Sequence, residues 1–410
     1  MSIFVDITPL REFPAFRRYF FGQVVSVFGS MFTVVAMQYQ AYKLGGDSTQ
    51  TVALLAAVTL VPFVLSSMVG GAIADSYDKR KVLLVTQGLL GVCSIVLALN
   101  AQSGKPKLWV LFASGITLNA LVGVDWPTRS STAVTLVDKN LTQKALALTI
   151  AMFNIAGIAG PVLAAFFVRR HLPWLYGIDA ATYVVSFLSV VSLPPRPPVG
   201  ERRSVSFQTV ADGFRYLKTQ RTIQSTFAAD LGAMIFGLPD ALFPAFAEQV
   251  FHDTRALGYL KAAPAVGAVM AGALSGWTHR IRRQGWAVII CIVIWGLGIS
   301  LFGSTTLLPV ALIGLFVAGA ADAVSALFRS TIVQVDVPDE YRGRMSSIFV
   351  AVVRGGPKLG EAESGLAAGL GGLQFAAVSG GLLCLVWIGV VAVVYPDLRR
   401  WEAKHPKASG

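Results

Sequence analysis

The sequence predicts an all-α polytopic membrane protein, with twelve transmembrane helices arranged as two six-helix bundles. Three observations carry that prediction. The 410-residue chain is 54% hydrophobic and only 14% charged, with a mean hydropathy of +0.64, whereas a soluble globular protein carries about 25% charged residues. Apolar stretches of the ~20 residues needed to cross a bilayer recur along it. The two halves also match each other at an offset near 200 residues.

The spans are expected near 17–42, 50–74, 82–101, 108–128, 143–168 and 174–193, then near 222–249, 257–277, 286–303, 306–329, 345–370 and 375–395. This gives an N-terminal bundle over 1–193, a cytoplasmic central loop over 194–221, and a C-terminal bundle with a cytoplasmic tail over 222–410. The loop opens on Pro194-Pro195-Arg196-Pro197-Pro198, and the apolar spacing of Phe207 to Leu217 predicts an amphipathic helix on the membrane surface.

Orientation follows from the basic residues. With the N-terminus inside, 25 of the 34 Lys and Arg fall on the cytoplasmic side, Arg129 and Arg329 among them, and 7 on the other; Arg354 and Lys358 fall inside a span. That bias places both termini in the cytoplasm of a multi-pass membrane protein. The first apolar stretch contains Gln23, Gln38 and Gln40 and no small-residue cleavage site, so it is not a signal peptide.

The repeat is visible in particular residues. Arg129-Ser130-Ser131 aligns with Arg329-Ser330-Thr331, Gly71-Ala72-Ile73 with Gly272-Ala273-Leu274, and Gly160-Pro161-Val162-Leu163 with Gly356-Pro357-Lys358-Leu359. Bundles duplicated in parallel place substrate between the halves near the bilayer midplane.

Several functions are excluded. The three cysteines sit in apolar stretches and the four histidines lack metal-ligand spacing, so no metal, cofactor or enzyme chemistry is expected. No P-loop occurs, so ATP is not the direct energy source. The net charge of +12 is scattered between apolar runs rather than gathered for nucleic acid. The expected partners are lipid, a small molecule and protons, and a monomer is expected.

The loop after the second span reads Gly71-Ala72-Ile73-Ala74-Asp75-Ser76-Tyr77-Asp78-Lys79-Arg80-Lys81. It resembles the major facilitator superfamily, whose corresponding loop carries G-x-x-x-D-R-x-G-R-[RK]; Ser76 and Asp78 depart from the usual Arg and Gly. A small residue permits close helix packing, and a carboxylate can pair with bases or cap a helix. The resemblance implies that Asp75 is a gate residue, with Gly71, Lys79 and Arg80 around it, closing the cytoplasmic side of the outward-facing state. Asp125 and Arg129, four apart at the same membrane face, read as a local ion pair.

The fifth span holds Asn154-Ile155-Ala156-Gly157-Ile158-Ala159-Gly160-Pro161, similar to the G-x-x-x-G-P motif of exporters in that superfamily, with Ala156 in place of the first Gly. Helix packing accounts for Gly157, Gly160 and Pro161 equally well. The eleventh span reads Arg354-Gly355-Gly356-Pro357-Lys358-Leu359-Gly360-Glu361-Ala362-Glu363. With Phe16-Arg17-Arg18, Gly22-Gln23 and Phe236 to Pro244, it resembles the drug:proton antiporter branch, which includes bacterial enterobactin (siderophore) exporters and actinobacterial multidrug and tetracycline exporters.

Ionisable residues inside spans are costly and mark function. Arg354, Lys358 and Glu361 form one stripe on a helix face, while Glu363 points elsewhere. Glu361 leads as the proton-coupling carboxylate, with Asp230, Asp322 and Asp240 in reserve; a structural Lys358–Glu361 pair is the alternative. Asp230 has no basic residue within a turn on its own helix. Asp179 reads either as a pathway residue or as a hydrated or capping one. Arg354, Lys358, Glu361, Gln38, Tyr39, Asn154 and Phe236 are the substrate-contact candidates.

The reading that follows is a secondary active exporter of small amphiphilic molecules, drug or siderophore, driven by proton antiport with alternating access. The alternatives are an importer of a small nutrient on the same fold and a non-transporting membrane protein.

Overall fold

The computed structural model describes residues 6–194 and 215–402, apart from the side chains of 72, 75, 339–352 and 354. The described residues are helical, and no strand occurs among them. In order, the helices are α1 (Thr8–Glu12), α2 (Pro14–Leu44), α3 (Thr49–Ser76), α4 (Lys79–Gln102), α5 (Leu108–Thr135), α6 (Thr142–Phe167) and α7 (Leu172–Val191). Then come α8 (Arg221–Gly237), α9 (Ala256–Ala273), α10 (Gln284–Ser304), α11 (Leu308–Asp336), α12 (Asp339–Gly371), α13 (Leu373–Val394) and α14 (Pro396–Arg400).

Eleven spans among the described residues are long and apolar enough to cross a membrane. The twelfth is α12. Its 33 residues reach about 50 Å at 1.5 Å per residue, beyond a hydrocarbon core of ~30 Å. Its charged residues, Lys358, Glu361 and Glu363 among them, are what set it apart in composition.

The sequence marks these boundaries physically. Ser48 accepts from the Gln50 amide at the start of α3 and Asp78 from the Arg80 amide at the start of α4. Proline opens α2, α7, α11 and α14, where its missing N–H costs nothing. Interior prolines at 62, 127, 161, 264 and 357 remove one ladder bond each.

Three expectations need correction. The fourth and tenth spans were expected to stop at 128 and 329, leaving Arg129 and Arg329 at loop edges, but α5 runs to Thr135 and α11 to Asp336. The polar run that reads as loop is helical because its hydroxyls return to their own helix: Ser130, Ser131, Thr132 and Thr135 all donate to carbonyls three or four residues back, as do Ser330 and Thr331. The seventh span is not continuous: α8 ends at Gly237, and after Pro239 the chain proceeds through a 3-10 turn at Asp240–Leu242 and a π-helical turn at Phe246–Val250. The eighth span, expected to 277, ends at Ala273, and a 3-10 segment covers Ser275–Arg280. The amphipathic helix expected over 207–217 lies largely outside the described residues.

Packing divides the chain into two units, Met1–Val205 with Asp253–Ala262, and Ser206–His252 with Ala263–Gly410. Within each, helices meet through small residues, as expected where lipid offers no hydrophobic drive between them. In the first unit a Cβ on Gly70 of α3 would lie 2.4 Å from the Gly123 carbonyl of α5; in the second, one on Gly267 of α9 would lie 2.0 Å from the Phe316 carbonyl of α11. The repeat recurs in contacts. Gly160 of α6 faces Met31 of α2, and its repeat partner Gly356 of α12 faces Met234 of α8.

Gly71 was expected to be the close-packing residue of its loop motif; among the described residues a Cβ there would meet nothing within 4 Å, and the same is true at Gly272. The neighbour Gly70 makes the helix contact.

Candidate functional site

Each half carries one buried arginine on its fourth span. In the first unit, α5 presents Asp125 and Arg129 one turn apart, and they form an ion pair with both side chains largely buried. Thr86 of α4 donates to Asp125 Oδ1 at 2.7 Å, Arg129 also donates to Gln23 Oε1 of α2, and Tyr19 donates to the Arg129 carbonyl at 2.9 Å. Gln23 in turn donates to Ser186 of α7 at 3.1 Å, and Ser186 to Gln87 of α4 at 2.9 Å. This pair is packed among the helices of its bundle, and Gln23 belongs to the same hydrogen-bonded network.

Asp179 of α7 is 1% exposed. Thr33 donates to its Oδ2 at 2.6 Å and Ser94 at 2.7 Å, while Oδ1 has no hydrogen-bond partner. That burial sets Asp179 among the helices of its bundle.

The second unit balances its charge differently. Arg329 of α11 is 3% exposed, and its Nη2 lies 2.8 Å from Asp230 Oδ1 of α8 and 3.3 Å from Asp322 Oδ1 of α11. Its Nη1 donates to Ser325 at 3.1 Å. Ser325 stands where the repeat has Asp125, so the acid adjacent to the arginine in one half is a hydroxyl in the other. Asp230 is 2% exposed, and the Asp322 side chain 34%. Two carboxylates therefore share one guanidinium. Fully ionised, the cluster carries an excess negative charge in a bundle interior; with one proton it is neutral and Arg329 keeps a partner. Removing either partner of a buried ion pair costs several kcal/mol, and of the two carboxylates Asp322 is the more exposed member.

The sequence selected Asp230 and Asp322 but missed Arg329, which read as a loop residue and whose pairing with Asp230 spans 99 residues and two helices. The usable signal was the repeat itself, which aligns Arg329 with Arg129.

The remaining expectations are placed as follows. Arg329 pairs with neither Glu361 nor Asp240. Asp240 begins the turn after α8, half-buried. Lys358 and Glu361 are half-buried on α12, and no ion pair joins them among the described residues. Next to Glu361, a Cβ on Gly360 would lie 2.2 Å from the Met234 carbonyl, so α12 rides closely on α8 at this level. Glu363 keeps Oε2 buried without a hydrogen-bond partner. The Arg354 and Asp75 side chains lie outside the described residues.

Gln38 and Tyr39 are buried in α2, and Tyr39 lies beneath the Lys43 ammonium at 5.8 Å. Asn154 is exposed on α6. Phe236 packs on Trp387 with ring centroids 6.0 Å apart. Phe243 is core, edge-on to Phe302. Gly157 faces open space, whereas Gly160 and Pro161 lie in packed surface. Lys79 sits in the first turn of α4, and Arg80 donates to the Val191 carbonyl at 2.7 Å, tying that loop to the end of α7.

Twelve helices with one buried arginine cluster in each repeated half define a polytopic transporter. Residues 19–360 match the family model of the Major Facilitator Superfamily, and the chain belongs to that family. It is 27% identical over 414 residues to the enterobactin exporter EntS of Escherichia coli O1:K1 / APEC and to that of Shigella boydii serotype 18, covering 100% of this chain and 98% of each relative. Among solved structures, it resembles a POT family transporter in complex with a thioalcohol-conjugated peptide (TM-score 0.75, 12% identity, 94% and 96% of the two chains). It also resembles the nucleoside transporter NupG (TM-score 0.74, 15% identity, 94% and 99%). At those identities the likeness concerns the fold.

Proposed function

We propose that the protein exports a small amphiphilic molecule of siderophore or drug type in exchange for protons, by alternating access. The full-length similarity to proteins named enterobactin exporters supports export of a small molecule. The observation that carries the proton-coupled part is the Asp230–Arg329–Asp322 cluster, where one guanidinium serves two carboxylates. The cluster takes up a proton on one side of the membrane and releases it on the other, and Arg329 keeps a carboxylate partner throughout. The stripe of Arg354, Lys358 and Glu361 on α12 contacts substrate, its mixed charge suiting a molecule with both acidic and polar groups. Asn154 and Phe236 contribute to the same task, whereas the burial of Gln38 and Tyr39 favours a packing role for them. Asp75 gates the cytoplasmic side, Asp125 and Arg129 hold the N-terminal bundle together, and the protein performs no catalysis. The bias of basic residues supports an inner-membrane protein with both termini cytoplasmic, working as a monomer.

The test is transport in proteoliposomes under an imposed proton gradient, with a catecholate siderophore and a cationic dye as alternative cargoes. Accumulation that collapses with a protonophore is the expected result. Accumulation unaffected by the protonophore would remove proton coupling, and movement of neither cargo would remove the assignment of substrate class.

A further inference from the structure

Away from the buried clusters, the second unit carries a concentrated basic pocket where α10 begins and the chain ends its last span. Arg283, Trp286, Arg399, Arg400 and Glu402 line it, and Arg282 lies on its rim, 3.9 Å from Glu402. Arg283 and Glu402 are 3.3 Å apart. Four arginines thus face one glutamate, and the side chains of Arg282 and Arg283 are 71% and 75% exposed. So much unneutralised charge calls for an anionic partner.

The pocket is built, not a chance meeting of loose side chains. Leu398 of α14 is fully buried, and Trp401 donates to Asp336 Oδ2 at 2.9 Å. A Cβ on Gly285 would lie 1.6 Å from the Leu398 carbonyl, so glycine there lets α14 seat against the first turn of α10. That seating brings Arg399 and Arg400 to the same pocket as Arg283.

Two apolar stripes lead into it. On α10, Trp286, Ile290, Ile294, Leu297 and Leu301 are exposed at intervals of three or four residues. On α13, Val386, Val390 and Val393 are exposed in the same rhythm, ending three residues before α14. Such stripes on spanning helices face acyl chains, and α10 and α13 pack side by side. Trp286 closes its stripe at the level of the arginines, which is where amphipathic rings sit at a membrane interface. Headgroup charge and chain surface therefore coincide at one place.

We propose that this pocket binds an anionic phospholipid, its phosphodiester held by Arg283, Arg399 and Arg400 and its chains lying along the α10 and α13 stripes. The site is independent of the proposed transport cycle. Basic pockets between spanning helices take anionic headgroups in this way. Glu402 competes with the phosphate for Arg282 and Arg283 and so sets the affinity.

The experiment is native mass spectrometry of the full chain, titrated with phosphatidylglycerol and with phosphatidylcholine. Each arginine near an anionic lipid contributes roughly 5-fold in binding, so the R399Q/R400Q double variant should bind phosphatidylglycerol roughly 30-fold more weakly. The exposed pair Arg17 and Arg18 supplies the control, and R17Q/R18Q should leave binding within 2-fold of unaltered (about 2-fold being small beside the ~30-fold loss). Glu402→Gln should tighten it, which tests the site without removing an arginine. Equal losses in the two double variants, no loss in either, weaker binding in Glu402→Gln, or displacement by inorganic phosphate alone would each overturn the proposal.

Discussion

Arg129 and Arg329 lie 200 residues apart and hold the same place on the fourth span of their halves, yet they face opposite charge balances. Arg129 pairs with one carboxylate, Asp125, and leans on the amide of Gln23. Arg329 pairs with two, Asp230 and Asp322, and has a serine where Asp125 would stand. The duplicated halves thus keep the arginine and its place while the second half gains a carboxylate to spare. The first half has a further buried acid in Asp179, held at Oδ2 by the hydroxyls of Thr33 and Ser94.

That difference predicts unequal costs of neutralisation. Asp125→Asn leaves Arg129 buried without a counter-charge, and removing one partner of a buried pair costs about 3–5 kcal/mol. Asp230→Asn leaves Arg329 with Asp322 and Ser325 and should cost less than half as much. Thermal unfolding in detergent, compared between the two variants, checks the order. A larger loss in Asp230→Asn would contradict it.

The glycines of the second span give a sharper structural test. Gly70→Ala drives a methyl against the Gly123 carbonyl, and overpacking of this kind costs about 1–3 kcal/mol. Gly71→Ala meets open space and should unfold at the unaltered temperature. The reverse order would return the packing role to Gly71.

Topology is tested by cysteine labelling. Single cysteines at Tyr77 and at Arg400 should react with a membrane-impermeant maleimide only in inverted vesicles, and one at Lys105 only in intact cells. Reaction of the first two from outside would reverse the orientation inferred from the basic residues.

The spans were legible in the sequence because hydropathy and basic loops act locally and leave a signal in every stretch of about 20 residues. Their ends were less so. Ser130 to Thr135 look like loop in composition but bond back to their own helix. The choice between Gly70 and Gly71 depends on which way each faces around α3, which no short motif encodes. The Arg329 cluster was half visible: two intramembrane acids stood out, but Arg329 read as a loop residue, and its pairing with Asp230 joins helices distant in sequence. Asp179 stood out too, and only the hydroxyls of Thr33 and Ser94, from two other helices, decide its surroundings.

Glu361 stood first among the coupling candidates in the sequence, and the structure offers a way to separate it from Asp322. On α12 it neighbours Gly360, while the carboxylates that meet Arg329 are Asp230 and Asp322; we propose a substrate contact as its role. Glu361→Gln should raise the substrate concentration needed for half-maximal transport while leaving the proton dependence intact. Loss of proton dependence with unchanged apparent affinity would restore Glu361 to the coupling role.

The central claim is that the spare carboxylate beside Arg329 carries the coupled proton, and Asp322→Asn tests it most directly. Asparagine keeps the size of Asp322 and fixes it in the uncharged state, while Asp230 still pairs with Arg329. In proteoliposomes, counterflow of labelled substrate needs no net proton movement and should persist, whereas accumulation driven by an imposed proton gradient should vanish. Asp322→Asn that still concentrates substrate against its gradient would contradict the account.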